Sequence, residues 1–273
     1  MSTNSWLEAA NLFDGCQIDD FEAVGSAATS TPIVPVLPDT WVIKIGGQSI
    51  MDRGRSAVYP ILEELVAARK EGINFILGVG GGTRARHVYA MGLDLDLPTG
   101  MLARLGSAVP VQNARMLQML LAQHQGIMVY PDDFEKLPLY LKVGCIPIMS
   151  GMPPFEFWEK APTSGRIPAN RTDAGVYLMG DFLGARGMLY IKDEDGMYSE
   201  DPKKNPDARF IAEASAADLL TSDQDDLILE RSVLEYMTRA RHMRNVHVIN
   251  GLKPGRVLEA LRGNPEGTTI RAE

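Results

Sequence analysis

The chemistry of this 273-residue sequence is carried by lysines and glycines that follow apolar runs. In KIGGQS, Lys44 precedes Gly46 and Gly47, so an ammonium and side-chain-free amides meet at the end of a strand. Such a turn lets backbone N–H groups approach an anion while the lysine neutralises it. Taken alone, the glycine pair is equally well a plain turn. GVGGGTRAR is the stronger signal: four of residues 78–82 are glycine and a helix follows at once, which makes Gly80, Gly81 and Gly82 the second phosphate-side group. No Lys-Ser/Thr follows, which excludes a Walker A loop, and the spacing does not fit GxGxxG. Arg84 and Arg86 fall on the first turn of that helix, as anion contacts or as surface cations. Asp173 and Asp195 suit an Mg2+ ligand or a partner that orients Lys44, and Asp173 suits a helix cap as well. In IKDEDGMYSEDPK, Lys192 and Lys203 can reach phosphates, while Tyr198, Asp201 and Pro202 can line a pocket for a base and ribose. The set contains no obvious nucleophile.

The elements that must position these residues alternate. The pattern predicts a strand over 41–45, then a helix over 55–70 with Val58, Ile61, Leu62, Leu65 and Val66 on one face. A strand in INFILGVG, a helix over 84–91, and a loop with Pro98 and Gly100 follow. A longer helix is expected over 109–123, with Met116, Met119 and Leu120 filling core. Strands over 126–130 and 143–151 lead to a proline-rich loop over 152–171, then a helix over 172–183 and a strand in GMLYIKD. Beyond an acidic, loop-rich stretch to Leu227 come a helix over 228–243, strand NVHVIN, helix PGRVLEALRG and strand GTTIRA. Alternation of this kind implies an α/β fold with a mainly parallel sheet, helices on both faces and ligands outside the carboxyl ends of the strands. Residues 1–35 read as a tail, disordered by composition or serving as an arm on a neighbouring subunit.

Composition narrows the classes. The chain is 45% hydrophobic and 23% charged, which suits a substantial core. A net charge of −8 argues against nucleic acid as a partner. Cys16 and Cys145 are too few for a disulfide framework or a cysteine zinc site. No run of about 18 apolar residues exists to span a membrane. The start lacks the basic-then-apolar pattern of a secretory signal, so the cytoplasm is the expected compartment. The four histidines stand at no ligand spacing.

In order, KIGGQS, GVGGGTRAR, RTDAG, DEDGMYSEDPK and VINGLKPGRVLEALRG resemble the amino-acid-kinase family over about residues 36–272, and within it the uridylate kinases and molybdenum storage proteins. GGTRARHVY and SGMPPFEFW are similar to the storage proteins, nearer their β-type than their α-type subunits. The resemblance implies a three-layer αβα sandwich over 36–273 that assembles as a homo- or hetero-hexamer, with an α-type storage subunit as a possible partner. It implies ATP and Mg2+ as cofactors, and molybdate or tungstate held as polyoxometalate clusters in a closed cage. By motif, Lys44, Gly46 and Gly47 would cradle the transferred phosphate with Gly80, Gly81 and Gly82, and Asp173 would organise lysine and Mg2+. Lys192, Asp195, Tyr198, Asp201 and Pro202 would border the nucleotide. The sequence departs from the pattern at Ala103, where uridylate kinases carry an acid, and at Tyr140 and Glu156-Phe157-Trp158, where α-type storage subunits carry histidines. His124, Glu135 and Glu156 are the candidate metal-side residues of a storage cavity, with Asp132 and Asp133 beside them. Three functions follow: an ATP-driven storage subunit, a phosphotransferase on a small acceptor such as UMP, or a silent structural subunit of a cage.

Overall fold

A computed structural model describes residues 34–222 and 227–273, so the arm expected over residues 1–35 lies almost wholly outside the described residues. The first strand, β1 (Thr40–Ile45), is buried at every position. Its neighbours in sequence order are α1 (Arg55–Lys70), β2 (Asn74–Val79), α2 (Thr83–Asp94), α3 (Thr99–Leu120), β3 (Gly126–Met128), α4 (Leu137–Lys142) and β4 (Ile146–Ser150). After the long loop come α5 (Thr172–Leu183), β5 (Gly187–Lys192), β6 (Met197–Tyr198), β7 (Phe210–Ile211), β8 (Glu213–Ser215) and α6 (Ala216–Thr221). The chain closes with α7 (Arg231–Met237), β9 (Asn245–Asn250), α8 (Arg256–Leu261) and β10 (Gly267–Arg271).

Eight strands form one sheet in the order β3-β4-β2-β1-β5-β9-β10-β8. The first six run parallel; β10 turns back against β9, and β8 runs with β10. Side chains alternate across the pleat, so β1 feeds two cores. Val42 packs with Tyr177 and Val176 of α5 and with Leu234 of α7 on one face. Ile43 and Ile45 pack with Ile61 and Leu65 of α1, Leu117 of α3 and Val257 of α8 on the other. This is a three-layer α/β sandwich with a mostly parallel sheet, as the sequence pattern implies. Among the described residues no helix is long and apolar enough to cross a membrane.

Three regions differ from the sequence pattern. Helix α3 begins at Thr99, ten residues before the expected start, because Pro98 precedes its first turn and Gly100 lets the backbone of Phe157 approach. Helix α7 covers only Arg231–Met237 of the expected 228–243, and Leu227–Glu230 instead line a cavity. The stretch expected as loop-rich holds β7, β8 and α6, and β8 extends the sheet edge beside β10. Met116, Met119 and Leu120, expected in the core, are 45%, 69% and 41% exposed, since α3 buries another face through Leu102, Val109 and Leu117. Ile43 is fully buried at the centre of the sheet. Ile43→Ala is expected to cost about 2–5 kcal/mol in denaturant unfolding, against about 1 for Ile43→Val.

Candidate active site

The site forms where four parallel strands leave the sheet on the same edge. Each departing turn is tied to its neighbour by one amide: Gly46 N–H to the carbonyl of Ile191 at 3.1 Å, and Gly80 N–H to that of Ile45 at 2.9 Å. Gly151 N–H bonds Val79 at 3.0 Å in the same way. These bonds leave the amides of Gly47, Gly81 and Gly82 without an acceptor among the described residues. The first two turns lie back to back: a Cβ on Gly80 would come 2.6 Å from the nitrogen of Gly47, and one on Gly47 would come 2.8 Å from the carbonyl carbon of Gly80. Gly82 has φ +72°, which favours glycine, and a side chain there would also strike Asp52.

Lys44 and Lys192 occupy the face of β1 and β5 that looks toward α5, by the alternation that puts Val42 there. The first turn of α5 delivers Asp173 between them. Lys44 Nζ is 2.5 Å from Asp173 Oδ1 and Lys192 Nζ is 2.9 Å from Oδ2; the side chains of Lys44, Lys192 and Asp173 are 5%, 13% and 6% exposed. Tyr190 donates its hydroxyl to the Asp173 carbonyl at 3.0 Å. Burial alone would raise the Asp173 pKa, but the two ammonium groups outweigh it and hold the carboxyl well below its usual range. Burial lowers the Lys44 pKa, and Asp173 opposes that shift.

Two further carboxylates, neither singled out by the sequence pattern, close the helix ends at the site. Asp52 accepts from the N–H of Thr83 at 2.6 Å and caps α2, so the open end expected there is partly taken. Glu230 accepts from the N–H groups of Arg171, Asp173 and Ala174 at 3.1–3.2 Å and caps α5. Its burial, with Asp173 nearby, raises its pKa. The end of the long loop is pinned to α7: Tyr236 donates to Asn170 at 2.6 Å and Ser232 to the Ala169 carbonyl at 3.1 Å. Only a tertiary view finds Glu230, because its partners lie 56–59 residues away.

These groups surround a cavity of about 610 Å3, a volume suited to a small-molecule ligand. Lys44, Gly46, Gly47, Gly80, Gly81, Gly82, Asp173, Lys192 and Lys203 line it together. At its mouth, Lys203 bonds Glu194 at 2.6 Å, while Asp193 bonds Arg53 at 2.5 Å and Lys203 at 3.3 Å. Arg86 lines the cavity; Arg84 turns to α3, where it bonds Asn113 and Gln112. Asn113, fully buried, donates to the carbonyls of Gly80 and Gly81, so Arg84 buttresses the glycine turn from behind.

The remaining sequence candidates lie apart from the lining. Asp195 bonds Asn250 and Lys253 beyond the ends of β5 and β9. Tyr198 pairs with Phe210 across β6 and β7, and Asp201 with neighbouring Pro202 folds back on the amide of Lys203. His124 precedes β3 and therefore sits at the opposite edge of the sheet. Glu135 lies in the turn after β3, and Glu156 pairs with Arg104 of α3. Among the described residues no three His, Cys, Asp or Glu side chains cluster as a metal site.

The sheet order, the glycine turns and the buried lysine pair define the class. Residues 39–250 match the amino acid kinase family, and the chain belongs to that family. It is similar, at 44% identity over 98% of this chain and 99% of the other, to the molybdenum storage protein subunit beta of Azotobacter vinelandii. It is 26% identical to the uridylate kinase of Methanothermobacter thermautotrophicus, over 85% of this chain and 99% of that one. The solved uridylate kinase of Archaeoglobus fulgidus shares the fold, with a TM-score of 0.64 at 22% identity, covering 84% of this chain and 99% of that one.

Asp173→Asn is expected to cost about 3–5 kcal/mol near neutral pH, because two buried ammonium groups lose their counter-charge. The folded pKa of Asp173 lies below its unfolded value, so its stabilisation is present above about pH 4 and fades as pH falls below it. Thermal unfolding against pH should therefore show a loss on the acid side in the parent chain that is weaker in the variant.

Proposed function

We propose that this chain is a nucleotide-binding, β-type subunit of an oxometalate store, which uses ATP to load molybdate or tungstate as polyoxometalate clusters. The observation that carries this reading is the 44% identity to a molybdenum storage subunit along nearly the whole of both chains. The cavity supports its nucleotide half: Lys44 and Lys192 would hold a phosphate, Asp173 keeps both lysines in place, and free glycine amides donate to the phosphate oxygens. The store would be a hexameric cage in the cytoplasm, built from this chain alone or with an α-type partner.

Magnesium fits as part of the nucleotide. Both oxygens of Asp173 and of Glu230 are engaged, Asp52 is held by Thr83, and Asp193 is held by Arg53 and Lys203. The ion's oxygens would come mainly from phosphates and water, as is common for this hard cation. When bound, it adds charge neutralisation at the phosphates.

The test is metal retention. Purified chain, with and without an α-type storage subunit, is incubated with molybdate or tungstate, with and without Mg-ATP, then desalted and analysed for metal. Many metal atoms per chain are expected only with ATP. Lys44→Ala is expected to reduce retention to background while sedimentation shows the same assembly. Full loading by that variant would overturn the site, and retention near zero in every arm would overturn storage. Stoichiometric ADP formation that depends on UMP would identify a uridylate-kinase-type phosphotransferase instead.

A further inference from the structure

We propose that Asn113 and Arg84 are positioning residues for the turn of Gly80, Gly81 and Gly82: they aim the amides of Gly81 and Gly82 at a bound phosphate. The inference rests on the nucleotide half of the storage reading and assigns how that half is held in shape. Asn113, on α3, is fully buried behind the turn. Its Nδ2 donates to the Gly80 carbonyl at 2.6 Å and to the Gly81 carbonyl at 3.3 Å. Its Oδ1 accepts from the Arg84 guanidinium, which also bonds Gln112 at 3.0 Å. Both amide hydrogens and the amide oxygen of Asn113 are therefore in use.

A trans peptide unit is planar, so its C=O and its N–H point in opposite directions. The Gly80 carbonyl shares a unit with the Gly81 N–H, and the Gly81 carbonyl shares one with the Gly82 N–H. Drawing both carbonyls onto Asn113 turns both amides away from it. These are amides without an acceptor among the described residues, and both glycines line the cavity. The close approach needs glycine: a Cβ on Gly81 would come 2.6 Å from that of Ala85 and 3.4 Å from the Pro110 ring. Pro110 stands one turn before Asn113 on α3, so the same helix face that seats the turn also holds its carbonyls.

The residue type at 113 is specific. With its amide turned over, Asn113 would set its oxygen against two carbonyl oxygens and its NH2 against a guanidinium. An aspartate there would offer only acceptors when ionised, and an alanine would leave two buried carbonyls unpaired. Arg84 acts at one remove: it satisfies the oxygen of Asn113 and so keeps the NH2 group on the turn.

Calorimetric titration of the full chain with Mg-ATP, and in parallel with magnesium tripolyphosphate, tests this at a temperature well below melting. Asn113→Ala is expected to weaken both ligands about tenfold, and Arg84→Met about threefold. Asn113→Asp should weaken them at least as much as Asn113→Ala. Arg84→Lys keeps a donor for Asn113 and should restore most of the affinity that Arg84→Met loses. The double variant Arg84→Met/Asn113→Ala should bind no more weakly than Asn113→Ala alone, because Arg84 works only through Asn113. A merely structural role would lower the melting temperature of the free chain and leave both affinities unchanged. Unchanged affinity in Asn113→Ala, or losses that add in the double variant, would overturn the proposal. If Asn113→Ala fails to fold, the Arg84→Met loss and its rescue by lysine decide the matter, and absence of either overturns it. A parent chain that binds neither ligand would overturn the nucleotide reading as well.

Discussion

The structure depends on one buried carboxylate held between two ammonium groups. Asp173 bridges Lys44 and Lys192, and the three together leave a surplus of one positive charge where water is largely excluded. Removing such ions from water costs several kcal/mol each, so the cluster persists only where geometry returns it. That geometry is set by three decisions of the backbone. The pairing of β1 with β5 puts both lysines on one face. The entry of α5 places Asp173 between them, and Glu230 fixes that entry by taking three of its amides.

Helix ends are the usual places for proteins to hold phosphate, and here two of them carry the chain's own carboxylates. Asp52 closes α2 and Glu230 closes α5. Negative charge on a ligand must therefore be met by the lysines, the guanidinium groups and the turn amides of Gly47, Gly81 and Gly82. The helices act mainly as levers: α5 carries Asp173, and α2 carries Arg86. In a chain with a net charge of −8, cations are gathered along this cavity, so local arrangement overrides the overall sign.

The sequence made the glycine turns, Lys44 and Asp173 legible because each adjoins a strand end or helix start, where local pattern is strong. It could not separate Arg84 from Arg86. Residues two apart on a helix point about 200° apart, and which face meets the cavity is decided by packing on α3. Glu230 was hidden for a different reason. It sits in ILERSVLEYM, which reads as continuous helix, and its capping role exists only once α5 is beside it. The three-residue β8 is too short to leave a period, and its edge is fixed by β10. The exposed methionines of α3 mislead because both of its faces are apolar, and the pattern does not say which one meets the core.

Fold likeness extends to uridylate kinases at 19–22% identity, with TM-scores of 0.64 and 0.67. At that distance the likeness shows the fold alone, and fold alone does not choose a substrate. The lysine and glycine end of the cavity follows from the sheet, because β1, β2 and β5 carry Lys44, the glycine turns and Lys192 to one edge. The other end does not follow from it, because its walls come from α2, α3 and the loop before α5, whose side chains can change without disturbing the strands.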